Sequence, residues 1–364
     1  KDKENTRQNQ NIAISADGIH FEKFAENPVL TEKDIPAGSS ITDFRDPKIF
    51  ERAGQYYCVI GSKTLDDQGQ VLLYQSDNLL EWTFVSVVFP HNKYLGKMVE
   101  CPDLLLFAEK AVFILSAMDY VDEKGVYYSH ISWLIEGEMD WDYFKFHQTS
   151  IKEMDKGLDY YAPQTVKLDK DSYWTIAWMQ NWQADRLTND LGHQWLGQMT
   201  LPRMLEVKES HLKQKAPQEI LNKIQWLEEY ENGHTVFFGK SNVLFLKLAA
   251  AKSFVLQFEN DEEAMLLNYS ATDKTLSFSR QKTHLQIKNT KNELLNTSRQ
   301  VSVNTEFMNL LIFLDRSSFE IFVNQEETIT STFYPQKSLR YLTVTSDDKV
   351  SFEKLCLGKL CYDS

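Results

Sequence analysis

Short apolar runs alternate with polar turns along almost the whole chain, and the 3.6-residue spacing of helices is nearly absent. Tyr56-Tyr57-Cys58-Val59-Ile60, Val71-Leu72-Leu73-Tyr74, Ala111–Ala117 and Tyr173–Trp178 predict strands. Pro217–Glu229 predicts a short helix and Leu79–Trp82 a turn. Many short strands with frequent turns imply an all-β sandwich, barrel or propeller.

A repeat separates these. Phe44-Arg45-Asp46-Pro47, Glu100-Cys101-Pro102-Asp103 and Tyr161-Ala162-Pro163-Gln164 each set a proline beside an apolar run, with the prolines 55 and then 61 residues apart. Asp17–Phe21, Asn78–Trp82 and Glu138–Trp141 each close a turn on an aromatic, 61 and then 59 residues apart. A unit of ~55–60 residues holding about four strands is a propeller blade. Proline donates nothing to a ladder, so each is expected at the first residue of its blade's leading strand, the innermost one. Beyond Arg203 the period is lost. Val243–Leu248, Phe254–Phe258 and Tyr341–Thr345 carry strand patterns. Phe319, Ile321 and Val323 share one face and Glu320 and Asn324 the other, with Phe322 out of step. This predicts a β-sandwich. The domain division is therefore 1–205 for a propeller and 206–364 for a linker and sandwich.

Charge narrows the function. The formal net charge of −13 opposes binding to nucleic-acid phosphates and to an anionic membrane surface. No apolar run approaches the ~20 residues of a membrane span. Cysteines at 58, 101, 356 and 361 have no zinc-site spacing and are few for a disulfide-stapled secreted protein. No cofactor or metal is implied. Aromatics reach 13% of the residues, which suits strands and supplies rings for sugar faces.

Two of the three proline motifs hold a carboxylate, Asp46 and Glu100. Paired carboxylates at a channel rim are what glycoside hydrolysis requires. A plainer reading makes Arg45-Asp46 an ion-paired turn and Glu100 a rim charge. Asp46 lies one residue before its proline and Glu100 two, so under strict alternation they face differently and at least one of them belongs to the loop ahead of its strand.

The three motifs, with Ile14–Phe21, Asn27-Pro28-Val29, Trp178-Met179, Leu201-Pro202-Arg203 and Ser318–Asn324, resemble in order the motifs of glycoside hydrolase family 32, the invertases, sucrose-6-phosphate hydrolases, inulinases and levanases. The resemblance implies a five-bladed propeller followed by a sandwich. It implies a retaining hydrolase releasing fructose from sucrose, sucrose-6-phosphate or a related β-fructofuranoside. Glu100 would be general acid/base, with its pKa raised so that it starts protonated. Asp46 would stabilise the transition state by holding fructose hydroxyls. Arg45 would contact the sugar and keep Asp46 ionised. Cys101 would tune the surroundings of Glu100, or be a small buried hydrophobe. Tyr161 would offer the sugar a hydrogen bond and Trp178 an apolar wall, though Trp178 also reads as a blade-core aromatic. The family's nucleophile, in a Trp-Met-Asn-Asp-Pro-Asn-Gly type motif, has no counterpart, since the only Asp-Pro is Asp46-Pro47. Run backwards, the repeat puts the preceding blade start before residue 1. The propeller is thus expected to lack its N-terminal part, and the chain alone to be inactive. A small carbohydrate is the expected partner and a bacterial cytoplasm the expected location. A non-catalytic sugar-binding propeller and a fructosyltransferase or fructanase of the same fold are the alternatives. The sequence leaves the oligomeric state open.

Overall fold

A computed structural model describes residues 6–208, 211–230, 235–239, 241–249, 252–303, 305, 307–345 and 353–361. The chain forms two compact units, one of 1–154 with 162–165 and one of 155–161 with 166–364.

The first unit opens with a small pair, β1 (Ala13–Ile14) and β2 (Glu22–Lys23). Two four-stranded antiparallel sheets follow. One runs β3 (Ser39–Arg52), β4 (Gln55–Thr64), β5 (Gly69–Ser76), β6 (Thr83–Phe89) in chain order. The other runs β7 (Met98–Leu106), β8 (Ala111–Val121), β9 (Tyr127–Asp140), β10 (Lys145–Glu153) in the same way. Both are the up-and-down meanders expected of blades. Their middle strands are buried on both faces, which is why they read as continuous apolar runs. In β4 and β5, Cys58, Ile60, Leu72 and Tyr74 enter a core with Leu30 and Phe44. The alternate residues Val59, Val71 and Leu73 enter a second core with Val99, Phe113, Leu115, Trp133 and Phe146. The first two turn markers prove to be one structure repeated, and the same structure starts at Asp140 of the third, so that Trp141 lies inside that turn and does not close it. Asp17, Asn78 and Asp140 each accept two backbone N–H groups at positions i+2 and i+3, at 2.8–3.0 Å.

The prolines are not strand starts. Pro47 and Pro102 lie inside β3 and β7, where the ladder skips between Arg45 and Lys48 and between Glu100 and Asp103. Each is a β-bulge, where a missing N–H costs nothing. The residue before each proline adopts positive φ, namely Asp46 at 60°, Cys101 at 47° and Ala162 at 51°. The repeat is therefore a repeat of backbone shape. Both carboxylates sit within their strands, at the bulge, and neither lies in a leading loop.

The second unit takes only the ends of β11 (Tyr161–Lys167), since 162–165 group with the first unit. It continues with β12 (Ser172–Met179), β13 (Gln198–Met199), β14 (Arg203–Lys208) and β15 (His211–Lys215), with β12, β14 and β15 adjacent and β13 on the end of β12. The helix expected over 217–229 is one turn, α1 (Gln218–Leu221), after which β16 (Ile224–Tyr230) begins. Eleven more strands complete a sandwich: β17 (Thr235–Phe237), β18 (Val243–Ala249), β19 (Phe254–Glu259), β20 (Ala264–Ser270), β21 (Thr275–Lys282), β22 (Ser298–Ser302), β23 (Phe307–Leu314), β24 (Ser318–Val323), β25 (Glu327–Thr332), β26 (Tyr341–Thr345) and β27 (Lys354–Leu360). One sheet is ordered β16-β27-β18-β23-β24-β25 and the other β17-β26-β19-β20-β21-β22. Phe319, Ile321 and Val323 fill the core between them, as their alternation predicts. Phe322 packs on the opposite face with Phe313 and Leu311. That face is covered too, so Glu320 is buried.

Glu320 is held by Arg203, whose guanidinium lies 3.0 Å from Glu320 and 2.9 Å from Asp155, with Thr328 and Thr330 hydroxyls also bound. Burial works against the charge on Arg203, but Asp155 and Glu320 outweigh it and hold the group protonated. Asp155 also takes the Thr330 N–H at 2.9 Å. Beside it, a Cβ on Gly157 would come within 1.9 Å of the Thr330 carbonyl oxygen, so only glycine lets 155–161 lie against β25. Arg203→Ala strands two buried carboxylates and should cost about 3–5 kcal/mol. The check is the urea midpoint; an unmoved midpoint contradicts the role given to Arg203.

Candidate active site

The first unit gathers Arg45, Asp46 and Glu100. Because the bulges interrupt both ladders at the same offset from proline, Arg45 and Glu100 occupy matched positions on β3 and β7, and Asp46 and Cys101 the next pair. Gly61 on β4 allows the close approach, since a Cβ there would meet the Val99 carbonyl oxygen at 2.3 Å. Arg45 Nε donates to Glu100 Oε1 at 3.0 Å, and its Nη1 to Asp43 Oδ1 at 2.8 Å. Asp46 Oδ2 accepts the backbone N–H of Cys101 at 3.0 Å and lies 3.6 Å from the Cys101 thiol. Both residues of the Arg45-Asp46 pair thus bind the dipeptide Glu100-Cys101, Asp46 by its carboxylate at the Cys101 N–H and Arg45 by its guanidinium at the Glu100 side chain.

Arg45 was expected beside Asp46, yet its guanidinium pairs with Asp43 and Glu100 instead. The positive φ of Asp46 is the reason, since it swings that side chain across to β7. Asp43 is in turn bound by Lys63 at 3.1 Å. The Cys101 thiol is pushed far up by burial and by the Asp46 and Glu100 charges, so it stays protonated and unreactive.

A second set of contacts pins the leading strands. Asp103, almost fully buried, takes the Lys48 ammonium at 3.2 Å and the Thr165 hydroxyl at 2.7 Å. Lys48 also donates to the Thr165 carbonyl at 2.6 Å. Burial raises the Asp103 pKa, with Lys48 and Thr165 opposing. These residues escape a search for catalytic groups. Their signal is the offset from proline, where Lys48 and Asp103 each come one residue after it.

Tyr161 and Trp178 belong to the second unit. Tyr161 is buried, 1% exposed. Trp178 is half-buried near the end of β12, edge-on to Trp182 at 5.0 Å between ring centres, with the Arg186 guanidinium 5.1 Å from its own ring centre.

Residues 1–216 match the pattern described as "Glycosyl hydrolases family 32 N-terminal domain", and 234–357 match "Glycosyl hydrolases family 32 C terminal". The chain belongs to glycoside hydrolase family 32. It is accordingly a glycoside hydrolase, all-β, of β-propeller and β-sandwich class. It is similar to a sucrose-6-phosphate hydrolase of Bacillus subtilis, 28% identical over 96% of this chain and 72% of that one. A raffinose invertase of Escherichia coli is 30% identical over 93% of this chain and 70% of its own. Among solved structures, a GH32 beta-fructofuranosidase of Bombyx mori superposes with a TM-score of 0.79 at 26% identity, covering 96% of this chain and 72% of that one. A mutant of that silkworm enzyme has been solved in complex with sucrose. Among the described residues, no helix is long and apolar enough to cross a membrane.

Burial would raise the Asp43 carboxyl, but hydrogen bonds from Arg45 and Lys63 outweigh it and hold the group below its ordinary 3.8. A depressed folded-state pKa gives stability that is complete above the unfolded value and lost as pH falls through the folded one. Asp43→Asn should therefore cost about 1 kcal/mol at pH 7. The gap should close in strong acid, where Asp43 is protonated in both states. Denaturant unfolding at both pH values checks this; a gap independent of pH contradicts it.

Proposed function

We propose that the chain acts on the β-fructofuranosidic bond of sucrose or sucrose-6-phosphate, with Glu100 as general acid/base and Asp46 as stabiliser of the transition state. The observation that carries this reading is the cluster in which Arg45 bonds Glu100 at 3.0 Å while Asp46 bonds the neighbouring Cys101 N–H at 3.0 Å. Cleavage needs an acid to protonate the leaving oxygen, and an oxocarbenium-like centre needs a nearby carboxylate. Delivery of a proton by Glu100 requires exchange of its ion pair with Arg45, since a neutral carboxyl no longer holds the guanidinium. Arg45 then remains anchored by Asp43. The substrate assignment is supported by the sucrose-6-phosphate hydrolases and the invertase among the relatives and by the sucrose complex of the silkworm enzyme. Tyr161 and Trp178 join the sugar-binding set in this reading, and the propeller part takes in 1–205 and the linker with the sandwich 206–364.

Retaining hydrolysis also needs a nucleophilic carboxylate ~5–5.5 Å from the acid/base. The 364 residues contain no Asn-Asp-Pro, and none of them is assigned that role. Purified alone, these residues should release essentially no fructose from sucrose; turnover in the usual enzyme range of ~1–10³ s⁻¹ would contradict that. In any form of the protein that does hydrolyse sucrose, Glu100→Gln should lower kcat by a factor of at least about 100 with the melting temperature unchanged. Asp46→Asn should lower kcat more than it raises KM. Near-normal kcat in Glu100→Gln removes Glu100 from its role, and an effect confined to KM reduces Asp46 to substrate binding. Polymer in place of free fructose would favour transfer over hydrolysis.

A further inference from the structure

The outer face of the sheet β17-β26-β19-β20-β21-β22 carries a shallow cavity of about 400 Å³. Its floor is one row of residues running across five strands. Thr345 pairs with Val255, Val255 with Asn268, Asn268 with Ser277 and Ser277 with Gln300. Strand alternation sends the residues beside this row, such as Leu256, Leu267 and Val344, into the sandwich core, so the row itself faces outward. No residue of the row is charged, and neither is any of the parallel outward row through Gln257. Charged residues make up 25% of the chain and are the ordinary cover of a solvated face, so two whole rows without one set this face apart.

Two amides stand in the row unanswered. The side chains of Asn268 and Gln300 make no hydrogen bond among the described residues. Ser277, between them, gives its hydroxyl to the Asn268 backbone carbonyl at 3.4 Å. An amide holds a donor and an acceptor side by side. Neighbouring hydroxyls on a sugar ring each donate and accept, so the two patterns match. Strands ~4.8 Å apart put β20 and β22 ~10 Å apart. A single sugar ring does not span that gap, so a ligand bonding both amides is an oligomer lying across the strands. The same face offers rings for it. Phe237 and Tyr341 are 54% and 39% exposed, 5.4 Å apart between centres, and Tyr341 follows Thr345 and Thr343 along β26. The charged group among the residues lining the cavity is Asp273, a carboxylate that opposes an anionic ligand.

We propose that this face of the sandwich is a second carbohydrate-binding site, which takes a neutral oligosaccharide laid across the strands with Asn268 and Gln300 bonding its hydroxyls. The site lies wholly within the second unit and does not depend on the roles given to Asp46 and Glu100.

The test is native gel electrophoresis of the chain through gels containing dissolved inulin, levan or dextran, three neutral polysaccharides that differ in sugar and linkage. At least one should retard the chain, and excess sucrose, too short to span the strands, should leave that retardation in place. The double variant Asn268→Ala/Gln300→Ala should need about tenfold more polysaccharide for the same retardation, as expected of several lost neutral hydrogen bonds. Gln300→Ala alone, at an exposed position on an edge strand, should need about threefold more; it carries the test should the double variant melt early. No retardation by any of the three, or equal retardation of parent and variants, overturns the proposal. Retardation that sucrose abolishes and the variants leave unchanged also overturns it, while supporting sugar binding at the Asp46 and Glu100 cluster.

Discussion

Asp103 is the group on which the first unit depends. It is a nearly dry carboxylate that takes the Lys48 ammonium from β3 and the Thr165 hydroxyl from β11. Leading strands of successive blades do not share a ladder, so nothing in ordinary sheet pairing fixes their mutual position. A buried charge with partners on two other strands does, because losing either partner leaves it unsatisfied in low dielectric. One residue before each of Pro47 and Pro102, the positive-φ bulge turns the chain so that Arg45 and Asp46 reach β7. The pin and the bulge together convert a repeated backbone shape into one polar cluster.

The second unit relies on the same physics at another place. Arg203 joins Asp155 and Glu320, while Arg280 joins Asp159 and the Thr332 carbonyl. Both carboxylates of the 155–161 segment are thereby fixed to β25, with Gly157 providing the space. Such clusters are poor sources of net stability, since desolvation offsets much of the attraction. Their effect is on position: few alternative packings satisfy so many buried charges at once.

The local features were legible in the sequence. Two of the three turns closed by an aromatic, and the alternation of Phe319, Ile321 and Val323, depend on neighbouring residues, and both recur in the structure. The period of the prolines was also legible, but its meaning was not. Proline excludes itself from a ladder equally at a strand's first residue and at a bulge, and only the partner strand distinguishes the two. The helix expected over 217–229 failed for a related reason. A register shift between Trp226 and Glu228 in β16 breaks the period of two, and the resulting spacing mimics a helix. The pairing of Arg45 with Glu100, and of Glu320 with Arg203, spans 55 and 117 residues, so neither partner is visible in a sequence window. Lys48 and Asp103 went unnoticed because they serve position and not chemistry.

In the proposed site, the two bulges bring Asp46 and Glu100 to one fructosyl group. A crystal structure of the Glu100→Gln protein soaked with sucrose tests it most directly. The expected result is a fructosyl ring with a hydroxyl within ~3.2 Å of an Asp46 carboxylate oxygen and the glycosidic oxygen within the same distance of the residue 100 side chain. Sucrose bound elsewhere, or bound with neither contact, would contradict it.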